Sequence, residues 1–280
     1  MPVMTRQTLN ARPFLKWAGG KRQLLEHIRP LIPASYDRLI EPFMGGAAVF
    51  FDQQPETGWL NDINTELVNC YQMVRDEVAA LIEDLGRHPY ERSYFEEIRA
   101  LDRQPGGLSA LPALTRASRF IYLNKTSFNG LYRVNSKGFY NVPFGRFKNP
   151  TIVNADLLRA CSKALQGCRI TNQDWQEVVQ AARPGDFVYL DPPYLPLSET
   201  SNFTHYADSG FGLADQQALA RATADLARRG IGFVASNSWH SDVLKLYQDF
   251  TIKEVAASRA INARASGRKP IAEALITNLI

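Results

Sequence analysis

The feature that most restricts the fold is a strand that runs through a glycine turn directly into an apolar helix. Residues 36–40, Tyr-Asp-Arg-Leu-Ile, have the length and apolar content of a short strand. Glu41-Pro42-Phe43-Met44-Gly45-Gly46 follows, and residues 47–51, Ala-Ala-Val-Phe-Phe, start a helix. Residues 58–62, Gly-Trp-Leu-Asn-Asp, read as a second strand, with a helix expected from Thr65 through Val74. Strands joined through a helix lie parallel, since a tight hairpin has no room for one. The opening is therefore a βαβ unit of an open parallel sheet, which binds ligands at the carboxyl ends of its strands.

The alternation then breaks. Residues 78–123 read as helices around a Gln104-Pro105-Gly106-Gly107 turn, and residues 125–150, rich in Asn, Gly and aromatics, read as loops or a hairpin. Strands resume at 168–171 and 187–190. A helix at 213–229 leads to a buried strand at 232–236, and two closing strands near 250–256 and 272–279 flank the Gly267-Arg268-Lys269 connection. The expected fold class is α/β: a Rossmann-like doubly wound sheet with a mostly helical insertion between its second and third strands. Residues 1–75 and 151–280 make up the expected catalytic domain. Residues 76–150 form the insertion, with a hairpin near 125–148.

Charge singles out that insertion. The chain as a whole carries a net +4, yet from Arg103 to Ala155 there is no Asp or Glu against eight basic residues: Arg103, Arg116, Arg119, Lys125, Arg133, Lys137, Arg146 and Lys148. Phe128, Tyr132, Phe139, Tyr140, Phe144 and Phe147 interleave with them, a mixture suited to a polyanion that also offers rings to stack on. A solvated basic face remains the plainer alternative. No apolar run reaches the roughly 18 residues of a membrane span, and the N-terminal residues lack the apolar core of a secretory signal. Cys70, Cys161 and Cys168 fit neither a zinc spacing nor a CxxC pair. Buried thiols in a reduced, cytoplasmic protein are expected, with no membrane partner and no metal.

Asp191-Pro192-Pro193-Tyr194 carries the chemistry. It follows a strand, and its two prolines have fixed φ and no N–H, so it offers acceptors only: the Asp191 carboxylate and the carbonyls around Pro192. An exocyclic aromatic amine needs such acceptors. Its lone pair is delocalised into the ring, and holding its hydrogens favours the pyramidal form that can attack an electrophilic methyl, while Tyr194 stacks on the base. A rigid turn with Asp191 as a helix cap is the structural alternative. Glu41, Phe43 and Gly45 in the first turn, with Asp62 at the next strand end, suit a nucleoside whose ribose hydroxyls Asp62 accepts. Asp174 and Trp175 at the same edge suit an adenine amine and its apolar cover, although an Asp there also starts helices. Phe14-Leu15-Lys16-Trp17-Ala18-Gly19-Gly20-Lys21 suits a loop over a methionine carboxylate and sulfonium, with Trp17 for the cation and Lys21 for the carboxylate.

FLKWAGGK, EPFMGG, NDIN, YLNKTSFNGLYRVNSKGFYNVPFGRF and DPPY, in that order, resemble the Dam family of adenine-N6 DNA methyltransferases over nearly the whole chain, from about Arg12 to Pro270. Cofactor motif, recognition insertion and DPPY follow the group's α arrangement. The resemblance implies S-adenosyl-L-methionine as methyl donor, double-stranded DNA as substrate, a monomeric enzyme, and GATC as the site. It implies a base-recognition hairpin at Phe128-Asn129-Gly130-Leu131-Tyr132-Arg133. Phe128 stands where close relatives carry Tyr, and Gly46-Ala47 departs slightly from the small residues usual there. Lys16, Leu131, Arg133 and Pro143 match base-touching positions, and Arg116, Lys125, Asn129, Asn141 and Arg146 are expected on DNA with them. Trp17, Lys21, Asp62 and Asp191 match cofactor contacts. Asp191 disfavours a cytosine-N4 enzyme, which more often carries Ser there, and an RNA or protein-glutamine enzyme, which carries Asn. A DNA-binding repressor without catalysis is a further alternative, against which the intact Asp191, Tyr194, Asp62 and Lys21 argue.

Overall fold

The computed structural model describes residues 10–194, 211–257 and 271–279. In chain order the described helices and strands are the single turn α1 (Leu25–Ile28), β1 (Arg38–Glu41), α2 (Ala48–Gln53), β2 (Gly58–Asn61), α3 (Thr65–Asp76), α4 (Val78–Leu85), α5 (Arg92–Ala100), α6 (Ala113–Thr126), α7 (Ala155–Leu165), β3 (Cys168–Thr171), α8 (Trp175–Gln180), β4 (Asp186–Leu190), α9 (Leu213–Arg228), β5 (Gly232–Ser238), α10 (Ser241–Leu246), β6 (Thr251–Ala257) and β7 (Ile271–Thr277). The strands form one seven-stranded sheet in the order β3-β2-β1-β4-β5-β7-β6. The first five in that order are parallel, and β7 enters antiparallel between β5 and β6.

Both faces of the sheet are covered, and the alternation of side chains along each strand divides the core in two. Leu39, Phe187 and Tyr189 point into one cluster, with residues of α2, α3, α4, α6 and α7. Ile40, Val188 and Leu190 point into the other, with residues of α8, α9 and α10. This double burial explains why β4 reads as an apolar run from Phe187 to Leu190 and why both central residues of β1, Leu39 and Ile40, are apolar. Strand order reverses at β1, which has β2 on one side and β4 on the other, so the loops after β1 and β4 diverge and leave a crevice between them. Arg38 and Asp186, opposite each other in register, lock that junction with a bidentate ion pair of 3.1 and 2.7 Å.

The α/β class and the closing strands are as the sequence indicates, with boundaries shifted by one or two residues. The helices α1, α7 and α10 were not anticipated. The Gly267-Arg268-Lys269 connection lies outside the described residues. Between β2 and β3 the chain forms α3 to α7, and Leu81, Leu85, Ala117, Phe120 and Ile121 share one core cluster with Leu39 and Phe187 of the sheet. A loose hairpin closes this region. Its arms meet at the isolated bridges Ser127–Phe144 and Val134–Tyr140, and the Asn135 side chain accepts the N–H groups of Lys137 and Phe139 at the tip.

The charge expectation needs correction here. Five of the eight basic residues bond to groups of the protein itself, Arg133 through Asn141 among them. Arg119 is buried and bonds Asp102 at 3.0 Å, and Arg103 binds Asp102 and the Tyr140 carbonyl. Arg116 pairs with Glu66 at 2.5 Å, and Lys125 donates to the Phe14 carbonyl. Burial lowers the Lys125 pKa below the ordinary lysine value. Arg116 and Lys125, expected on DNA, thus each have an internal partner in this structure. Of the acids that balance this segment, Asp102 immediately precedes it in sequence, while Glu66 comes from α3, far upstream, and packs onto it. Lys137, Arg146 and Lys148 are exposed, as a polyanion surface requires.

Asp102 is nearly buried and also accepts the Tyr140 N–H at 2.7 Å, which ties the hairpin to α6. Asp102→Ala leaves Arg119 buried without its counter-charge. It should cost about 3–5 kcal/mol in urea unfolding, the usual penalty for breaking a buried pair; a loss below about 1 kcal/mol would refute this role for Asp102.

Candidate active site

The crevice at the strand reversal gathers side chains from both ends of the chain. Asp191, one residue past β4, receives two donors on the same oxygen: Lys21 Nζ lies 2.8 Å from Oδ1 and Ser236 Oγ donates to it at 2.9 Å. Because the Ser236 hydroxyl donates to Asp191, the Tyr189 hydroxyl, 3.1 Å away, donates to Ser236 in turn. Among the described residues no group donates to Oδ2. Burial pushes the Asp191 carboxyl up from its ordinary value, while Lys21 and Ser236 act the other way. The rest of the motif is braced from below. The Pro193 carbonyl accepts from Gln216 Nε2 at 2.9 Å, and Gln216 is held by Asn237 of β5.

Lys21 also donates to the Gly19 carbonyl at 2.8 Å and lies 4.7 Å from the centre of the Tyr194 ring. Tyr194 donates to Glu273 Oε2 at 2.7 Å. Asp191, Tyr194 and Lys21 thus come together, along with Ser236, Gln216 and Glu273, which sequence reasoning missed. A Ser, a Gln and a Glu in ordinary strands and helices carry no sequence signal of their own.

The first turn is built differently from the expectation. Glu41 is buried, and its Oε1 accepts the Phe50 N–H at 2.6 Å, capping α2 from outside the helix. Its side chain shapes the turn rather than lining its surface. Asp62 accepts the N–H groups of Gly45 at 3.0 Å and Asn64 at 2.9 Å, one on each oxygen. Its carboxylate is fixed in orientation and keeps lone pairs on both oxygens. Burial pushes this carboxyl up too, against those backbone donors. Gly45 has φ +45°, and a Cβ there would come within 2.9 Å of the Trp17 ring, so only glycine lets the turn pack against Trp17. Asn61, also missed, bonds Pro42, Thr171 and Gln173 and so joins the ends of β1, β2 and β3.

Phe43 and Trp175 meet at 5.7 Å between ring centres, and Phe211 packs edge-on against Phe43. Asp174 is exposed and caps α8 by accepting the Gln176 N–H at 2.7 Å. Ile63, next to Asp62, is 78% exposed. An apolar side chain held open at a strand end, beside an oriented carboxylate and an aromatic wall, fits the flat apolar face and hydroxyls of a nucleoside.

Trp17 links this site to the hairpin, stacking on Tyr132 at 5.8 Å and Phe120 at 6.1 Å. Asn124 exchanges hydrogen bonds with the Lys16 backbone, at 2.9 and 2.8 Å, and holds the Gly130 carbonyl. Exposed Lys16 is thereby set against the hairpin, where a Cβ on Gly130 would meet its side chain at 2.8 Å. Arg133 Nε donates to Asn141 Oδ1 at 2.6 Å across the two arms. Phe128 is 46% exposed, Asn129 adopts φ +56°, Pro143 and Arg146 are exposed, and Leu131 is half-buried.

The Glu41 carboxyl is raised from 4.5 to about 8, chiefly by burial and further by the Asp191 charge, with the Phe50 N–H opposing. The folded state therefore holds a proton that the unfolded chain releases. This contribution to stability is complete below the ordinary carboxylate range and disappears as pH rises through about 8. Glu41→Gln keeps the acceptor for Phe50 and removes the titration. Melting temperature should fall from pH 5 to pH 9 in the natural protein, and E41Q should remove much of that fall; parallel pH profiles would contradict the assignment.

Comparison with known proteins agrees with this arrangement. The model of the D12 class N6 adenine-specific DNA methyltransferase family matches residues 17–261. The chain is 43% identical to the type II methyltransferase M1.LlaDCHI of Lactococcus lactis subsp. cremoris, over 99% of both chains. It is 37% identical to a DNA adenine methylase of Vibrio cholerae, covering 94% of this chain and 95% of that one, and 35% identical to the DNA adenine methylase of Escherichia coli K12, covering 94% of each. A match over most of the chain, with crevice, oriented Asp62 and DPPY turn in place, is decisive: the chain belongs to the D12 class of N6 adenine-specific DNA methyltransferases.

Proposed function

We propose that this adenine-N6 DNA methyltransferase acts within GATC in duplex DNA, turning the target adenine out of the helix and methylating it by direct in-line transfer. The observation that carries the mechanism is the asymmetry of Asp191. Lys21 and Ser236 converge on Oδ1, which leaves Oδ2 as an oriented acceptor for an amine hydrogen. The prolines that follow bring no competing N–H. An adenine amine stacked in a duplex cannot reach an acceptor set in the crevice between strands, which supports base flipping.

Trp17, Phe43, Gly45, Asp62, Ile63 and Trp175 fit S-adenosylmethionine, the methyl donor that family membership implies. The Gly45 turn, with no room for a side chain, and the fixed Asp62 carboxylate suit its nucleoside. When bound, it supplies a methyl group activated by a sulfonium. Lys21, beside Asp191 and next to the glycine-rich loop, is suited to a carboxylate such as that of the methionine part. Asp191 orients the amine through one of its N–H groups and would take that proton once the nitrogen has gained the methyl group from the sulfonium, whose S–CH3 bond breaks; it need not be a strong base, because the N–H becomes acidic only as the nitrogen becomes cationic. Orientation and preplaced acceptors carry most of the rate gain.

Site recognition rests on the hairpin. Residues 76–150 supply the DNA-facing surface, and the remainder supplies the chemistry. Lys16, Leu131, Arg133 and Pro143 match base-contacting positions of GATC enzymes. Asn141 and Asn124 hold two of these, Arg133 and Lys16, in place. Arg146, Lys137 and Lys148, exposed nearby in sequence, suit phosphates.

Base-resolved mapping of methylation on unmethylated DNA treated with the purified protein should show N6-methyladenine at GATC. Methylated cytosine, another site, or no methyl incorporation would each refute the corresponding part. Asp191→Ala should lower turnover by at least about 100-fold, the usual scale for losing one preorganised group, while DNA still binds. Near-normal turnover would remove Asp191 from the chemistry. Arg133→Ala should relax sequence choice, costing about 1–3 kcal/mol at one base position; equal losses on all sequences would make Arg133 a phosphate contact.

A further inference from the structure

Glu273 lies on β7, the strand that enters the sheet antiparallel, and neither the motifs nor the chemistry above accounts for it. In register it pairs with Ser238 of β5. Two residues back along β5, Ser236 holds Asp191, so the β5–β7 pair underlies the whole DPPY turn. Glu273 Oε2 accepts the Tyr194 hydroxyl at 2.7 Å, across 79 residues of sequence, and lies 4.0 Å from Lys21 Nζ. Lys21 sits over the Tyr194 ring, 4.7 Å from its centre. The Tyr194 ring is therefore fixed at two points, its hydroxyl by a carboxylate and one face by an ammonium. Among the described residues no second cation and no other ring stacks on Tyr194, which suits a base on its other face.

We propose that Glu273 is a positioning residue for methyl transfer, holding the Tyr194 hydroxyl so that the ring plane receives the flipped adenine in register with Asp191. This rests on the flipped-base reading above. A tyrosine ring turns readily about two bonds, and a buried, charge-assisted hydrogen bond at its far end restricts both rotations. Small angular errors in a stacked base displace its amine from the acceptor, and errors near 1 Å cost on the order of 100-fold in rate. Lys21 and Asp191 hold the ring's surroundings; Glu273 holds the ring itself.

The test uses the full chain with methyl donor and duplex substrate, measuring kcat, KM for DNA, and the fluorescence of 2-aminopurine placed at the target adenine. Glu273→Ala should lower kcat on the order of 10- to 100-fold with KM for DNA little changed, and should reduce the fluorescence rise. Glu273→Gln should recover most of the activity, because its amide oxygen still accepts the hydroxyl. Tyr194→Phe should resemble E273A, and the double variant should be no worse than either single one, since both remove the same bond. Losses that multiply in the double variant would overturn the proposal, as would a loss confined to KM or to melting temperature. If E273A does not fold, the comparison passes to E273Q. Any loss E273Q causes should vanish in the Y194F background, and a loss that persists there would overturn the proposal. No fluorescence rise in the natural protein would overturn the flipped-base reading and this inference with it. A normal rise with multiplying losses would overturn this inference alone.

Discussion

Everything in this protein hangs on the parallel pairing of β1 with β4, two strands separated by well over a hundred residues. Arg38 and Asp186 face each other in register and join through two charge-assisted hydrogen bonds, and Asp37 N–H donates to the Gly185 carbonyl at 2.8 Å just below them. Because β2 lies on the far side of β1 and β5 on the far side of β4, the two connections leave in opposite directions. The crevice between them follows from that topology, and so does the closeness of Glu41 and Asp191 at the ends of adjacent strands. Their mutual repulsion contributes to the raised Glu41 carboxyl.

Around the crevice, buried polar side chains act as braces for the turns that carry the chemistry. Asn61 ties the loops after β1 and β3 to the end of β2. Gln216 and Asn237 hold the Pro193 carbonyl, and Tyr189 and Ser236 orient Asp191. Each is buried and hydrogen-bonded, so losing one would leave its partner unsatisfied in a dry interior. The same logic extends outward. Trp17 packs on Gly45 on one side and stacks on Tyr132 on the other, so the cofactor turn and the hairpin share one aromatic side chain. Asn124 then fastens the N-terminal loop to Gly130.

Much of this was legible beforehand, and the reason differs by feature. The strands could be read because burial on both faces makes them continuous apolar runs, and the DPPY and EPFMGG turns because proline and glycine have few backbone options. Asp62, Asp191 and Tyr194 could be singled out from their places at strand ends, whereas Lys21 was read from the glycine-rich loop near the N-terminus. The basic insertion was legible only in part. Counting charge along the chain treated Arg103, Arg116, Arg119 and Lys125 as free, although Asp102 and Glu66 come back onto them in space. Glu41 and Asp174, expected at the ligand, each accept a local backbone N–H on one oxygen, a role their sequence positions did not single out.

Local chemistry decided the order of strands, turns and helices and the identity of the reacting tetrapeptide, because these depend on backbone freedom and on burial periodicity over a few residues. Partnership was settled only in three dimensions. Which carboxylate is a ligand group and which is a cap, which arginine faces outward and which balances a buried acid, and how Glu273 reaches Tyr194 all depend on contacts between residues far apart in the chain. Such contacts are set by the packing of whole elements, and no local pattern records them.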